Sequence, residues 1–146
     1  MEIHFRIIGF LLIGLAIMHL IFPKYFNWTD DLKSMSLINR QMMYVHTFFI
    51  GLVVFLMGLL CLTSSDDLIK TEFGKKITLG LGVFWTSRLI IQFFGYSSKL
   101  WKGKPFETTV HILFSLLWTY LSVVFIWPSL HWPSWPKKRV GHCASR

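Results

Sequence analysis

Three imidazoles, a guanidinium and a primary amide are the chemistry-bearing groups of this chain. His19, His46, His111, Arg88 and Gln92 each fall inside a stretch otherwise built from apolar residues. Ionisable side chains inside a bilayer are costly, so they face one another, a cavity or a ligand. Neutral imidazole ligates zinc, copper and iron, which makes His19, His46 and His111 a candidate three-nitrogen metal set. Two histidines on different helices also suffice to ligate a haem, with Arg88 left for its propionates. The same groups can instead hydrogen-bond the carbonyl or headgroup of a lipophilic molecule, a quinone or a lipid, with histidine able to move protons near neutral pH. We carry this metal-free reading forward. Glu107 is the one carboxylate near the histidines, which leaves a di-iron centre short of ligands.

The elements that position these groups follow from hydropathy. The chain has 146 residues, 53% of them hydrophobic and 17% aromatic, with mean hydropathy +0.53. Those values lie above the soluble range. Four apolar runs, residues 5–22, 42–63, 77–96 and 106–127, each approach the ~20 residues that cross ~30 Å of hydrocarbon. They predict an all-α polytopic membrane protein, a four-transmembrane-helix bundle with both termini on the same side. Residues 1–146 form a single integral membrane domain with a polar interfacial tail at 128–146. The first run follows a lone Arg6, as a secretory signal would. Glu2 precedes it, and Pro23-Lys24-Tyr25 stands where small cleavage-site residues belong, so it reads as a retained helix.

Up-down connectivity fixes depth. At ~1.5 Å per residue, His19 lies ~5 Å inside the end of its run opposite the termini, His46 ~6 Å, Gln92 ~6 Å, Arg88 ~12 Å and His111 about as deep. Helical phase adds direction. Trp85, Arg88, Gln92 and Tyr96 recur at three- and four-residue steps, as do Glu107, His111, Ser115, Trp118 and Ser122, so each of the last two spans carries one polar stripe. On the second span Asn39, Met43 and His46 lead into Phe49 and Val53. Gly9 and Gly14 on the first span, with Gly51 and Gly58 on the second, permit close helix packing. The candidate ligand-binding set is therefore His19, His46, Arg88, Gln92, His111, Glu107, Trp85 and Trp118. A plainer reading stands beside it: intramembrane histidines also hydrogen-bond neighbouring helices, and Arg88 can pair with Glu107. His4 and His131 read as interfacial bystanders.

Charge and cysteine bound the partners. The terminal side carries Arg6, Lys70, Lys75, Lys76, Lys137, Lys138, Arg139 and Arg146, against Lys24, Lys33, Arg40, Lys99, Lys102 and Lys104 on the other. This asymmetry predicts termini on the cytoplasmic side; a bacterial inner membrane is the expected location, with periplasm or an organelle lumen left open for the other face. The net charge of +8 is juxtamembrane charge facing lipid headgroups, and no aromatic-basic motif calls for nucleic acid. Membrane lipids, a lipophilic small molecule, and a membrane partner protein or second copy of the chain are the expected partners. Cys61 and Cys143 form no C-x-x-C, so dithiol chemistry is not expected. His142 and Cys143 in the closing GHCASR make a weak metal pair at best. No nucleotide-binding motif is present, so coupling to ATP would need a partner.

Local signals mark the connections. Pro23 is expected to stop the first helix and Pro128 the fourth. Between the first two spans, Thr29 is expected to cap a short helix with Asp30 and Asp31 in its first turn. Trp28, Leu32 and Met35 share a face of it, which makes the segment a lid or an interfacial anchor. Ser65, Asp66 and Asp67 offer another helix start. Pro105 suits the first position of the last helix, followed by Glu107 at its positive dipole end.

The opening Arg6-Ile-Ile-Gly9, followed by Ile17-Met18-His19-Leu20-Ile21-Phe22-Pro23-Lys24-Tyr25-Phe26, resembles the first helix of the DoxX-like small four-helix membrane proteins. The resemblance covers that span and the overall layout. It implies an accessory or redox-linked membrane subunit, one associated with quinone reduction or with assembly of partner proteins, and it transfers no catalytic residue. Two function classes follow: a redox-linked or ligand-binding membrane protein, and a non-catalytic accessory subunit.

Overall fold

A few local choices set where each helix begins and ends. The computed structural model describes residues 1–96 and 104–131, and every regular element among them is a helix. The elements are α1 (Glu2–Tyr25), α2 (Trp28–Asp31), α3 (Leu37–Thr63), α4 (Ser65–Lys70), α5 (Glu72–Phe94) and α6 (Pro105–His131). Readings that concern 97–103 or the tail 132–146, with Trp132, Trp135, His142 and Cys143, lie outside the described residues. α1, α3, α5 and α6 are each long and apolar enough to cross a membrane. The protein is thus a four-span helical membrane protein whose up-down order brings the Glu2 end of α1 and the His131 end of α6 to one side.

Several boundaries follow ordinary capping chemistry. Thr71 caps α5 by accepting the Gly74 N–H at 2.9 Å. Pro105 opens α6, where its missing N–H has no partner to lose, and Glu107 follows in the first turn. α4 begins at Ser65 and is tied by Lys70 to Asp66 at 2.9 Å.

Three local expectations are corrected. α1 runs through Pro23 to Tyr25, and α6 runs through Pro128 to His131. Each proline sits in a last turn, where only one backbone bond is lost. The ladder resumes at once after Pro23, with Phe26 N–H donating to Phe22 O at 2.9 Å. Asn27, rather than Thr29, stands at the start of α2. Its φ of 47° is left-handed, a conformation open to Asn and unfavourable for β-branched Thr. Its amide donates to Asp30 Oδ2 at 2.9 Å. Trp28 then packs edge-on against Tyr44 at 5.5 Å, so α2 leans on the α1–α3 side of the molecule.

The helices pack as two pairs, α1 on α3 and α5 on α6. Close backbone approach makes the first seam. A Cβ at Gly58 would lie 2.9 Å from Gly9 O, and one at Gly51 would lie 3.1 Å from His19 Cβ. Gly14 takes no part, since nothing lies within 4 Å of its Cβ position. The pairs meet in the half of the molecule near the termini. There Phe5 sets its edge against Phe125 at 5.6 Å, and α4 packs on α5 while touching α1 and α3. Phe5, Ile8, Leu12, Cys61, Leu68, Leu121 and Phe125 are wholly or almost wholly buried in that core. Large apolar side chains such as Phe10, Leu20, Phe48, Val83, Phe93 and Leu116 stay exposed, as lipid-facing surfaces of spans do.

Candidate functional site

The polar stripe of α5 meets the polar stripe of α6 beyond this core, toward the surface opposite the termini. Trp85 of α5 stacks on Trp118 of α6 with ring centroids 5.0 Å apart and planes 14° apart. Phe114, one turn along α6, extends the aromatic group at 5.5 Å from Trp118. Such pairs add ~0.5–1.5 kcal/mol beyond burial and lock the two helices in register. They also form a rigid platform. The Arg88 guanidinium lies 5.3 Å from the Trp118 ring centroid and 5.6 Å from that of Tyr96, within cation–π range. Its Nη1 donates to Gln92 Oε1 at 3.2 Å, and Gln92 is only 7% exposed.

These partners give Arg88 a direction. Arg88 sits ~9 Å of helix rise from the Phe94 end of α5. Gln92 and Tyr96 lie one and two turns further toward that end, so the side chain reaches from the apolar interior toward the membrane surface. Among the described residues Arg88 has no carboxylate partner, and Glu107 is exposed in the first turn of α6. The expected Arg88–Glu107 pair is therefore not formed. Nε1 of Trp85, Nε1 of Trp118 and Oγ1 of Thr86 are buried with no hydrogen-bond partner among the described residues. A donor left so costs ~1–3 kcal/mol.

The remaining residues of the sequence set divide between the two helix pairs. His111 is half-buried on α6, with Phe93 of α5 set edge-on to it at 6.0 Å. Ser115 and Ser122 are spent on their own helix, donating to the His111 and Trp118 carbonyls at 2.8 Å. His19 and His46 belong to the α1–α3 pair. Each places Nδ1 near the carbonyl four residues back, Leu15 at 2.8 Å and Met42 at 2.9 Å. A carbonyl only accepts, so Nδ1 carries a proton in each. His19 is half-buried beside Phe22, and His46 is exposed. Neither is bonded to Arg88 or Gln92 among the described residues.

The expected metal set His19, His46 and His111 is not assembled: among the described residues no three His, Cys, Asp or Glu side chains are grouped to hold a metal ion. Two of the imidazoles turn back onto their own helix instead.

One polar contact lay outside the sequence reading. His4 Nδ1 and the Tyr120 hydroxyl are 3.0 Å apart, joining α1 to α6 across the two pairs. They border an open cleft of about 280 Å³ that Met1, Val123, Val124 and Trp127 also line. His4 looked interfacial because it opens α1; its partner depends on how far α1 is offset along α6, which hydropathy does not encode.

The site is thus a guanidinium, an amide and two indoles held on one face of a packed helix pair. It has donors in excess and a full positive charge. No family model, curated protein or solved structure matches the chain.

Proposed function

We propose that this chain is a small integral membrane protein that binds a lipophilic ligand, quinone or lipid-like, through Arg88 and Gln92 over the Trp85–Trp118 platform, with His111 beside them. The observation that carries the reading is Arg88. It is oriented by three partners, one of them on a second helix, and among the described residues has no carboxylate to neutralise it. A guanidinium kept in an apolar span only to be solvated by chance would not need that cradle. The setting suits a bacterial inner membrane with cytoplasmic termini and the ligand entering from the opposite leaflet. A nearby imidazole is compatible with proton-coupled redox chemistry on the ligand.

The test is purification in mild detergent followed by mass spectrometry of extracted small molecules. A quinone or lipid enriched over the bulk membrane extract is expected, and Arg88→Gln should lose it while remaining folded. An extract that matches the bulk membrane for both proteins would refute the reading.

A second reading, an accessory or assembly subunit of the kind the DoxX-like resemblance implies, draws support from one feature. The two helix pairs meet near the termini, and the opposite half of α3 keeps Met42, Phe48, Phe49 and His46 exposed. Under that reading His46→Ala weakens a complex with a partner or second copy and leaves ligand content unchanged.

A further inference from the structure

We propose that the ligand held by the α5–α6 face is an amphiphile bearing a phosphate, a step that rests on the lipophile-binding reading above. The warrant is the balance of donors and acceptors. A guanidinium has five N–H donors and no acceptor, and Arg88 uses one of them on Gln92 Oε1 at 3.2 Å. That bond fixes the amide of Gln92. Its oxygen is taken by Arg88, and its NH₂ adds two further donors. The indole N–H groups of Trp85 and Trp118 stand in the same aromatic group without acceptors among the described residues, in side chains only 2% and 4% exposed.

The guanidinium and both indoles only donate, and the amide oxygen is already engaged by Arg88, beside a positive charge with no counter-ion on the described part of the chain. The complement is an acceptor-only anion. Phosphate fits the planar fork of arginine in bidentate fashion and neutralises it. A quinone supplies two neutral carbonyls, which would leave the guanidinium charge uncompensated in a medium of low dielectric. Position agrees with chemistry. Gln92 and Tyr96 draw the guanidinium toward the membrane surface, where phosphates of lipids reside.

The purified full chain in neutral maltoside detergent is titrated with dioctanoyl phosphatidic acid, dioctanoylglycerol, inorganic phosphate and a short-chain ubiquinone, with calorimetry and native mass spectrometry as readouts. Saturable binding of one phosphatidic acid per chain is expected, ~10-fold or more tighter than dioctanoylglycerol. Arg88→Gln should weaken it ~10-fold or more, and Arg88→Lys, which keeps charge but loses the fork, by less. Inorganic phosphate that displaces the lipid in an Arg88-dependent way assigns the site to free phosphate and supports the anion chemistry. Failure to displace assigns it to the lipid headgroup. Dioctanoylglycerol or ubiquinone binding as tightly as phosphatidic acid, still dependent on Arg88, overturns the phosphate proposal and leaves the lipophile site standing. Absence of binding by all four probes overturns both. Should Arg88→Gln fail to fold, the wild-type comparison of probes together with Arg88→Lys decides between these outcomes.

Discussion

Adding one methyl group at Gly58 should separate α1 from α3, whereas the same methyl at Gly14 should do nothing. A Cβ at Gly58 falls 2.9 Å from Gly9 O, 3.0 Å from Ile13 Cγ1 and 3.2 Å from Ile13 N. Two of those three atoms are backbone, which no rotamer change can move aside. Overpacking of this kind costs ~1–3 kcal/mol. In a soluble helix, Gly→Ala would recover ~1 kcal/mol of helix propensity. Here that compensation is largely missing, because a span that leaves its neighbour within the membrane remains helical to satisfy its own backbone. Gly58→Ala is therefore expected to lower stability by ~1–3 kcal/mol. Gly14→Ala, with nothing within 4 Å, should stay within ~0.5 kcal/mol of wild type. Reversible unfolding in mixed micelles of mild detergent and dodecyl sulfate measures both. Equal effects of the two substitutions, or a stabilised Gly58→Ala, would refute the seam.

Other consequences follow from the same geometry. Gln92→Leu removes the hydrogen-bond acceptor of Arg88; a bond to a charged group is worth ~1.5–3 kcal/mol, so lipophile affinity measured by calorimetry should fall at least ~10-fold with the fold retained by circular dichroism. Tyr120→Phe leaves the His4 imidazole without its partner across the helix pairs and should cost ~0.5–1.5 kcal/mol in micelle unfolding, with ligand binding unchanged. Lys33 and then Asn27 hold the Asp30 carboxyl below its ordinary value of 3.8. A lowered folded-state value makes the α2 turn most secure above that pH and loosens it as pH falls through the lower one; the Asn27 side-chain amide signal should shift over that acid range in a nuclear magnetic resonance titration and stay constant in Asp30→Asn.

Span length and helical period were legible in the sequence, azimuth much less so. Apolar run length identified all four spans, and Trp85, Arg88 and Gln92 do share one face of α5, with Tyr96 continuing it just past the helix end. Gly9, Gly51 and Gly58 lie in the α1–α3 seam, as small residues among large ones suggest. Gly14 does not, because its position round α1 turns it away from α3, a matter of helix rotation rather than composition. Pro23 and Pro128 show the limit of local rules: one lost backbone bond near a helix end is too small a penalty to stop the ladder.

Histidine placement shows a deeper limit. Depth supplies one coordinate of three, so His19, His46 and His111 can share a level while two of them bond their own helix on the other pair. The Trp85–Trp118 stack, which orients Arg88, was legible only as two separate stripes. Antiparallel register decided which tryptophans meet.

The most direct test of the central claim is an experimental structure of the protein in a lipid nanodisc. The account predicts an ordered headgroup or carbonyl oxygen ~3 Å from the Arg88 guanidinium, with Gln92 and Trp118 still beside it. Arg88 ion-paired with Glu107 or with another chain, and no lipophile at its nitrogens, would contradict it.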